Sequence, residues 1–349
     1  MCNLTNQNHR RILRDMTNLT FPKLAERVVD DYAAYLFLEE IRWPFGPICP
    51  HCGSRNKSTF LTPRKDENGK QRATRTGAMS QRRVWKCRDC LKQFSVLTGT
   101  IFHGSKVSVR TWVLVVFQMA CSKNGMAARE VQRTYGLPPK TAWFMCHRIR
   151  EAMTENLPDC LIGTIVADET WIGGNPANRH HNGEFDRMTP ERVIPHASRQ
   201  NAHTDKTPVL SLVNTATGEV RSRAVVDVTA YSLRKVIAQE VRMNESVLYT
   251  DESQSYASVG KEFMLHASVN HSAGEYVRGM VTTNRLEGFF SQLKRSIDGT
   301  HHHVSRAHLG RYLAEFDFRY TWCKMTDTER MRKIVFQSDG KRLAYSLCR

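Results

Sequence analysis

The sequence predicts a mixed α/β protein in which a helical, cysteine-bearing front half precedes a sheet-forming back half. Three observations carry that expectation. The 349 residues allow two or three domains with ample core. Two CxxC pairs, Cys49 with Cys52 and Cys87 with Cys90, interrupt an otherwise helix-prone front half. From Thr164 onward the pattern changes to β-prone runs broken by turns, with a helix between the third and fourth runs and a long helix from about Thr283.

In chain order, FPKLAERVVDDYAAYLFLEEIRW reads as one amphipathic helix ending before Pro44, with Leu24, Val28, Tyr32, Tyr35 and Leu36 as its apolar stripe. The stripe suits core packing, and its spacing does not separate that role from contact with a partner. The two CxxC knuckles then present four thiolates, the set a structural Zn²⁺ requires; buried thiols or a redox pair are the alternative. His51 is a spectator to a complete set of four. Between Cys52 and Cys87 lies a long basic stretch in which Asp66 and Glu67 face ten Lys and Arg, among them Arg72, Arg75, Arg82 and Arg83. It suits an extended loop laid along a phosphate backbone, or simply a solvated one. Trp85 either stacks on a base or packs behind the metal site.

SVRTWVLVVFQMACSK is a helix capped by Ser108, with Trp112, Val115, Val116 and Met119 recurring at helical spacing. A shorter helix follows, Gly136 breaks it, and a second begins at Pro138 or Pro139, the proportions of a helix-turn-helix. Its second helix is expected to expose Lys140, Thr141, His147, Arg148 and Arg150 toward DNA and to bury Ala142, Ile149 and either Phe144 or Met145. A plain helical bundle has the same periodicity.

In the back half the order is strands TIVADETWI, TPVLSLVN and EVRSRAVV, helix YSLRKVIAQEV, strands SVLYTD and FMLHASV, and the long helix. Three strands, a helix and a further strand form the skeleton of a ribonuclease-H-like domain. That layout puts Asp168 on the first strand, Asp251 at the end of its parallel neighbour, and Glu287 on a helix crossing the sheet. Three carboxylates at one point repel one another unless a cation neutralises them, so the set implies Mg²⁺ or Mn²⁺. Two such ions about 3.5–4 Å apart activate an attacking hydroxyl and hold a leaving 3′ oxygen in line. Glu169 and Glu252, each one residue on, fall on the opposite face by strand alternation. Asn284 lies one turn before Glu287 and is a secondary catalytic candidate; Lys294, with Arg295 beside it, lies two turns after and suits a phosphate contact or a solvated charge. Adjacent histidines cannot all face one ion, so His301, His302 and His303 read as a loop and helix cap. Gly173 and Gly174 permit a tight turn out of the first strand, and the polar insertion over 175–207 is expected to order only on DNA or on a partner subunit.

The formal charge is +17, from 51 Lys and Arg against 34 Asp and Glu, and residues 1–160 carry +13 of it. Such concentration implies a polyanionic partner, because phosphate neutralisation releases counterions. No apolar run reaches the roughly 18 residues that span a bilayer, and the N-terminus lacks a secretory hydrophobic region, so a cytoplasmic, nucleoid-associated protein with reduced cysteines is expected.

CPHCGS with CRDC, DETWIGG, YTDES and TNRLEGFFSQLKRSIDGTHHHVSRAHLGRYLAEFDFRY together resemble the DDE transposases of the bacterial insertion sequence 1595 family. The core of that family is called the ISXO2-like transposase domain, and the likeness covers nearly the whole span from Cys49 to Tyr320. The resemblance implies that Asp168, Asp251 and Glu287 are the family's three acidic residues and that Lys294 contacts the transposon end. It further implies binding to terminal inverted repeats of double-stranded DNA, cleavage to expose 3′ hydroxyls and joining to target DNA, in a homodimer or larger assembly. Two other readings use the same residues: a regulator with an inactive ribonuclease-H-like domain, and a nuclease or resolvase that cleaves without joining. The expected organisation is an N-terminal helical segment over 1–45, the zinc ribbon over 46–104, the helix-turn-helix over 105–160, the catalytic domain over 161–325 and a tail over 326–349.

Overall fold

The computed structural model describes residues 19–62, 81–155, 160–173, 206–275, 277–279 and 281–345. Most of the basic loop, with Arg72 and Arg75, and nearly all of the polar insertion lie outside the described residues. The chain forms two compact units, one of residues 1–153 with 322–349 and the other of residues 154–321.

The first unit opens with α1 (Phe21–Arg27) and α2 (Asp31–Arg42). The single helix expected there is two. Asp30 adopts extended backbone and accepts a hydrogen bond from Ala33 N at 2.8 Å, so it caps a new helix where periodicity alone suggested continuation. The break also changes the apolar face: Leu24, Val28, Tyr35, Phe37, Leu38 and Ile41 are buried, whereas Tyr32 and Leu36 are exposed. Three short antiparallel strands follow, β1 (Ser58–Phe60), β2 (Trp85–Cys87) and β3 (Gln93–Phe94), with β2 in the middle. Next come α3 (Val109–Cys121), α4 (Ala128–Tyr135) and α5 (Pro139–Met153). Ser108 caps α3, and α4 ends at Gly136 in the left-handed conformation, φ 61°, which glycine adopts without steric cost.

The second unit is built on β4 (Leu161–Gly173), β5 (Lys206–Asn214), β6 (Val220–Ala224), α6 (Ala230–Glu240), β7 (Val241–Thr250), α7 (Ser255–Val259) and β8 (Leu265–Ser268). The strands form one five-stranded sheet in the order β6-β5-β4-β7-β8. The pairs on the β5 and β6 side are antiparallel, and β4, β7 and β8 run parallel. A two-residue hairpin, β9 (Val277–Arg278) with β10 (Val281–Thr282), leads into α8 (Asn284–Ser296), and α9 (Arg306–Thr321) closes the unit.

Strand alternation divides this unit into two cores. On one face Val166, Ile172, Val209 and Val213 lie under Leu286, Phe289, Phe290 and Leu293 of α8 and under Leu309, Leu313 and Phe316 of α9. On the other, Ile165, Ala167, Leu210, Leu212 and Leu248 meet Leu233 and Ile237 of α6 and Tyr256 and Val259 of α7. Each large side chain so buried contributes about 1.5–3 kcal/mol. Cover on both faces explains why TPVLSLVN has no polar alternation and is buried from Thr207 to Asn214. Asp317 fixes α9 to β6, its two oxygens accepting from Ser222 N and Ser222 Oγ, each at 2.7 Å.

The chain then returns to the first unit as α10 (Asp327–Gln337), started by a capping box between Thr326 and Glu329. It packs on α2, α3 and α5, with Arg330 Nε donating to Ala120 O at 3.0 Å. The segment beyond Thr321 is therefore a packing element of the front unit.

Candidate functional site

The parallel pairing of β4 with β7 sets Val166 opposite Tyr249. Two residues further along, the same register brings Asp168 level with Asp251, the residue that follows β7. Alternation also assigns the face. Asp168 shares parity with Val166 and Ile172, and Asp251 with Tyr249, and all three of those apolar residues belong to the core beneath α8. Glu287 stands in the first turn of α8, on its exposed side between buried Leu286 and Phe289.

The carboxylates affect one another electrostatically. Burial, together with the negative charges of Asp251 and Glu287, pushes the Asp168 carboxyl up to about 6 against a hydrogen bond from Glu169 N at 2.7 Å. Asp251 Oδ1 accepts from Ser253 N at 3.0 Å, so the turn after β7 orients it. A half-buried carboxyl made harder to ionise by two anionic neighbours is chemically matched to a hard divalent cation with oxygen ligands. Asn284 and Lys294 flank Glu287 on the exposed side of α8, and Arg295 beside Lys294 turns back to donate to Ser291 O at 3.1 Å.

His271 was not singled out by sequence patterning. Its Nδ1 lies 3.9 Å from Glu287 Oε1 and its Nε2 lies 3.1 Å from Thr283 Oγ1. The seat for this ring is made by Glu252, which accepts from His271 N at 2.8 Å, Ser272 N at 3.2 Å and Ser272 Oγ at 2.5 Å. Those bonds hold the Glu252 carboxyl down at about 2. Glu169 points to the opposite face, as alternation requires, and accepts from the buried Tyr256 hydroxyl at 2.5 Å. Burial raises the Glu169 carboxyl to about 7 despite that bond. A further support lies behind Asp251, where His266 Nε2 meets Thr250 Oγ1 at 2.9 Å. A Cβ on Gly260 would come within 2.2 Å of His266 Nδ1, so only glycine lets this ring lie flat on the chain.

In the first unit the ligand sulfurs of Cys49, Cys52, Cys87 and Cys90 lie within 4.8 Å of one another, the spacing of a tetrahedral thiolate site. Among the described residues this is the group of three or more potential ligands close enough to share an ion; the carboxylates sense one another at longer range. Both knuckles make the same turn. Cys49 N donates to Ser54 O and Cys87 N to Lys92 O, each at 3.0 Å, and the fifth residue, Gly53 or Leu91, is left-handed at φ 75° or 60°. Ser54 hydrogen bonds lower the Cys52 thiol to about 6, which favours the thiolate a metal needs. His51 turns away to Gln93 O at 3.3 Å.

Several residues expected to face DNA are interior. His147 is fully buried beside Trp143, with ring centroids 4.2 Å apart. Arg148 is 5% exposed, donates to His103 O at 2.7 Å and lies over Trp112 and Phe144; burial lowers its pKa to about 10. Arg150 is likewise buried. Local periodicity does not reveal this, because the partners lie in segments before α5: Arg148 meets His103 O and Trp112, and Arg150 Nη2 donates to Met126 O at 3.3 Å. Arg83 is buried too, paired with Glu39 at 2.9 Å and lying over Phe60 at 4.6 Å. Trp85 packs against Trp43 and Phe60 and donates to Glu39 Oε1 at 2.9 Å, so it is a support of the thiolate module. Lys140 and Arg82 are exposed, and Thr141 is half-buried. His301 packs edge-on against Tyr312, and His302 Nδ1 meets Asp298 O at 3.0 Å, which leaves this run in a loop.

Comparison with known proteins gives a consistent picture. Residues 160–321 match the ISXO2-like transposase domain and residues 29–93 match a transposase zinc-ribbon domain. The chain is 26% identical over 309 residues to an uncharacterised protein in transposable element ISH50 of Halobacterium salinarum, covering 88% of this chain and 96% of that one. Among solved structures, a simian T-cell lymphotropic virus intasome in complex with the PP2A regulatory subunit B56 gamma aligns at 15% identity over 54% of this chain and 63% of that chain. Its TM-score of 0.26 is too low to bear on the fold. No described helix is long and apolar enough to cross a membrane.

Proposed function

Because the chain belongs to the family of the ISXO2-like transposase domain, we propose that it is a DNA transposase that binds the terminal inverted repeats of its element, cleaves to expose 3′ hydroxyls and joins them to target DNA. The observation that carries this reading is the register of the parallel strands β4 and β7, which sets Asp168 level with Asp251, the residue after β7, on the face covered by the helix that bears Glu287. The sheet order, with an antiparallel arm on β4 and parallel strands beyond it, supports reading the second unit as a ribonuclease-H-like domain.

In this reading Asp168, Asp251 and Glu287 hold Mg²⁺ or Mn²⁺. Two such ions would supply Lewis-acid activation of the attacking oxygen and charge neutralisation at the leaving one. The protein's own residues position and exclude. The turn through Ser253 aims Asp251, and the Glu169 amide aims Asp168. Asn284 and Lys294 extend the same helix edge toward the phosphate. In the front unit Zn²⁺ on the four cysteines shapes the ribbon, and α4 with α5 acts as a helix-turn-helix that meets DNA through Lys140 and Thr141 at the start of α5. Arg82, Lys294 and Arg295 are further phosphate contacts. Two element ends have to be handled together, so a homodimer or larger assembly at the nucleoid, in the cytoplasm, completes the proposal.

The test is incubation of labelled element ends with the protein and Mg²⁺ or Mn²⁺, beside Asp168→Asn and Glu287→Gln. The unsubstituted protein is expected to cleave and join, and both variants to bind without cutting. Equal activity in the variants would remove the catalytic assignment. Cleavage without joined product would favour a nuclease.

A further inference from the structure

We propose that His271 is a fourth donor of the carboxylate site, its Nδ1 sharing a divalent cation with Glu287; the inference rests on the metal-dependent reading above. His271 follows β8 and Asp251 follows β7, so both residues leave the same ends of two parallel strands. Ligand sites in such sheets form at those carboxyl ends.

Three independent features aim the ring. Glu252 locks the turn His271–Ala273 through two backbone amides and a serine hydroxyl, which fixes the backbone that carries the ring. Thr283 Oγ1 donates to Glu287 Oε1 at 3.4 Å and lies 3.1 Å from His271 Nε2. With its proton given to an acceptor-only carboxylate, the hydroxyl receives Nε2–H, and in that tautomer Nδ1 carries the lone pair. This is the usual arrangement of a metal-binding histidine, which donates its other N–H to a partner that sets its orientation. Third, the 3.9 Å from Nδ1 to Glu287 Oε1 is too long for a hydrogen bond. It is within the roughly 4.2 Å that two donors each about 2.1 Å from one ion can span, and a closure of about 1 Å on binding would bring the two atoms to adjacent octahedral positions. An imidazole among the carboxylates also favours Mn²⁺ over the harder Mg²⁺.

Pulsed electron paramagnetic resonance of Mn²⁺ bound to the full-length protein reads nitrogen ligation directly. The expected spectrum shows a histidine ¹⁴N coupling that becomes ¹⁵N when the protein is labelled with ¹⁵N-histidine, and that disappears in His271→Gln. The Mn²⁺ affinity of that variant should fall roughly tenfold or more. Mn²⁺ bound in an Asp168-dependent manner with no histidine coupling, or a coupling that persists in His271→Gln, overturns the role of His271 and leaves the carboxylate reading standing. Mn²⁺ binding unchanged in Asp168→Asn overturns both. The isotope exchange is read on the unsubstituted protein, so the result does not depend on a variant folding.

Discussion

The buried hydroxyl of Tyr256 donates to Glu169 Oε1 at 2.5 Å and so joins α7, which follows Asp251, to the strand that carries Asp168. The bond crosses beneath the two aspartates on the opposite face of the sheet and fixes the spacing of the segments that present them. Tyr256→Phe is expected to cost about 1.5–3 kcal/mol, because a buried carboxyl loses its donor. Thermal denaturation of Tyr256→Phe, Glu169→Gln and the double variant measures the coupling. Strictly additive losses would show that the two side chains do not act as a unit.

Sequence patterning anticipated the placement of the candidate site's residues where one strand decides the outcome and not where distant segments meet. Alternation placed Asp168 and Glu169 on opposite faces because strand period alone fixes that choice. The strands ending at Asp251 and the helix bearing Glu287 were legible for the same reason, each having a strong local pattern. His271 was invisible: it sits in a three-residue turn whose position is set by Glu252, nineteen residues earlier in the chain and on no shared periodic element. The break at Asp30 was legible in principle as a capping residue, yet the continuous apolar stripe concealed it. The burial of Arg148 and Arg150 is not legible in α5 alone, because their partners, His103 with Trp112 and Met126, lie in earlier segments.

The contrast between Arg148 and Lys294 yields a paired prediction. Arg148 is buried over two aromatic rings, so Arg148→Ala should cost on the order of 2–3 kcal/mol of front-unit stability through lost packing and hydrogen bonding. Lys294 is exposed on α8. Its replacement by alanine should leave the unfolding free energy within about 0.5 kcal/mol of the parent while lowering DNA affinity and reducing the salt slope by about 1. Melting curves and binding isotherms at several salt concentrations separate the two. A Lys294→Ala protein with unchanged affinity and slope would remove that residue from the DNA path.

The matched knuckles give a test of backbone strain in the thiolate module. A Cβ on Gly53 would meet nothing within 4 Å, so Gly53→Ala carries only the left-handed penalty of about 1 kcal/mol. Leu91 already bears that penalty at φ 60°, and Leu91→Gly should relieve much of it. The expected order of stability with Zn²⁺ bound, read from melting curves alongside zinc content, is Leu91→Gly above the parent and Gly53→Ala below it. The reverse order would mean that side-chain contacts, and not φ, govern the turns.

Asp317 supplies the pH dependence. Burial raises its carboxyl to about 7, although Ser222 donates to both oxygens and favours the charged form. The folded state therefore holds this proton more tightly than the unfolded chain, whose carboxyl titrates near about 4. Stability from this group is fully present below about pH 4, declines as pH rises toward 7 and is constant above, with a limiting slope of about 1.4 kcal/mol per pH unit. Asp317→Asn cannot ionise, so its melting temperature should change less between pH 5 and pH 8 than that of the parent. Asp168 and Glu169, whose carboxyls are also raised by burial, contribute in the same direction in both proteins and cancel in the comparison. Identical pH profiles for the two proteins would place the ionisation of Asp317 outside this window and leave its two serine bonds as a purely charged contact between α9 and β6.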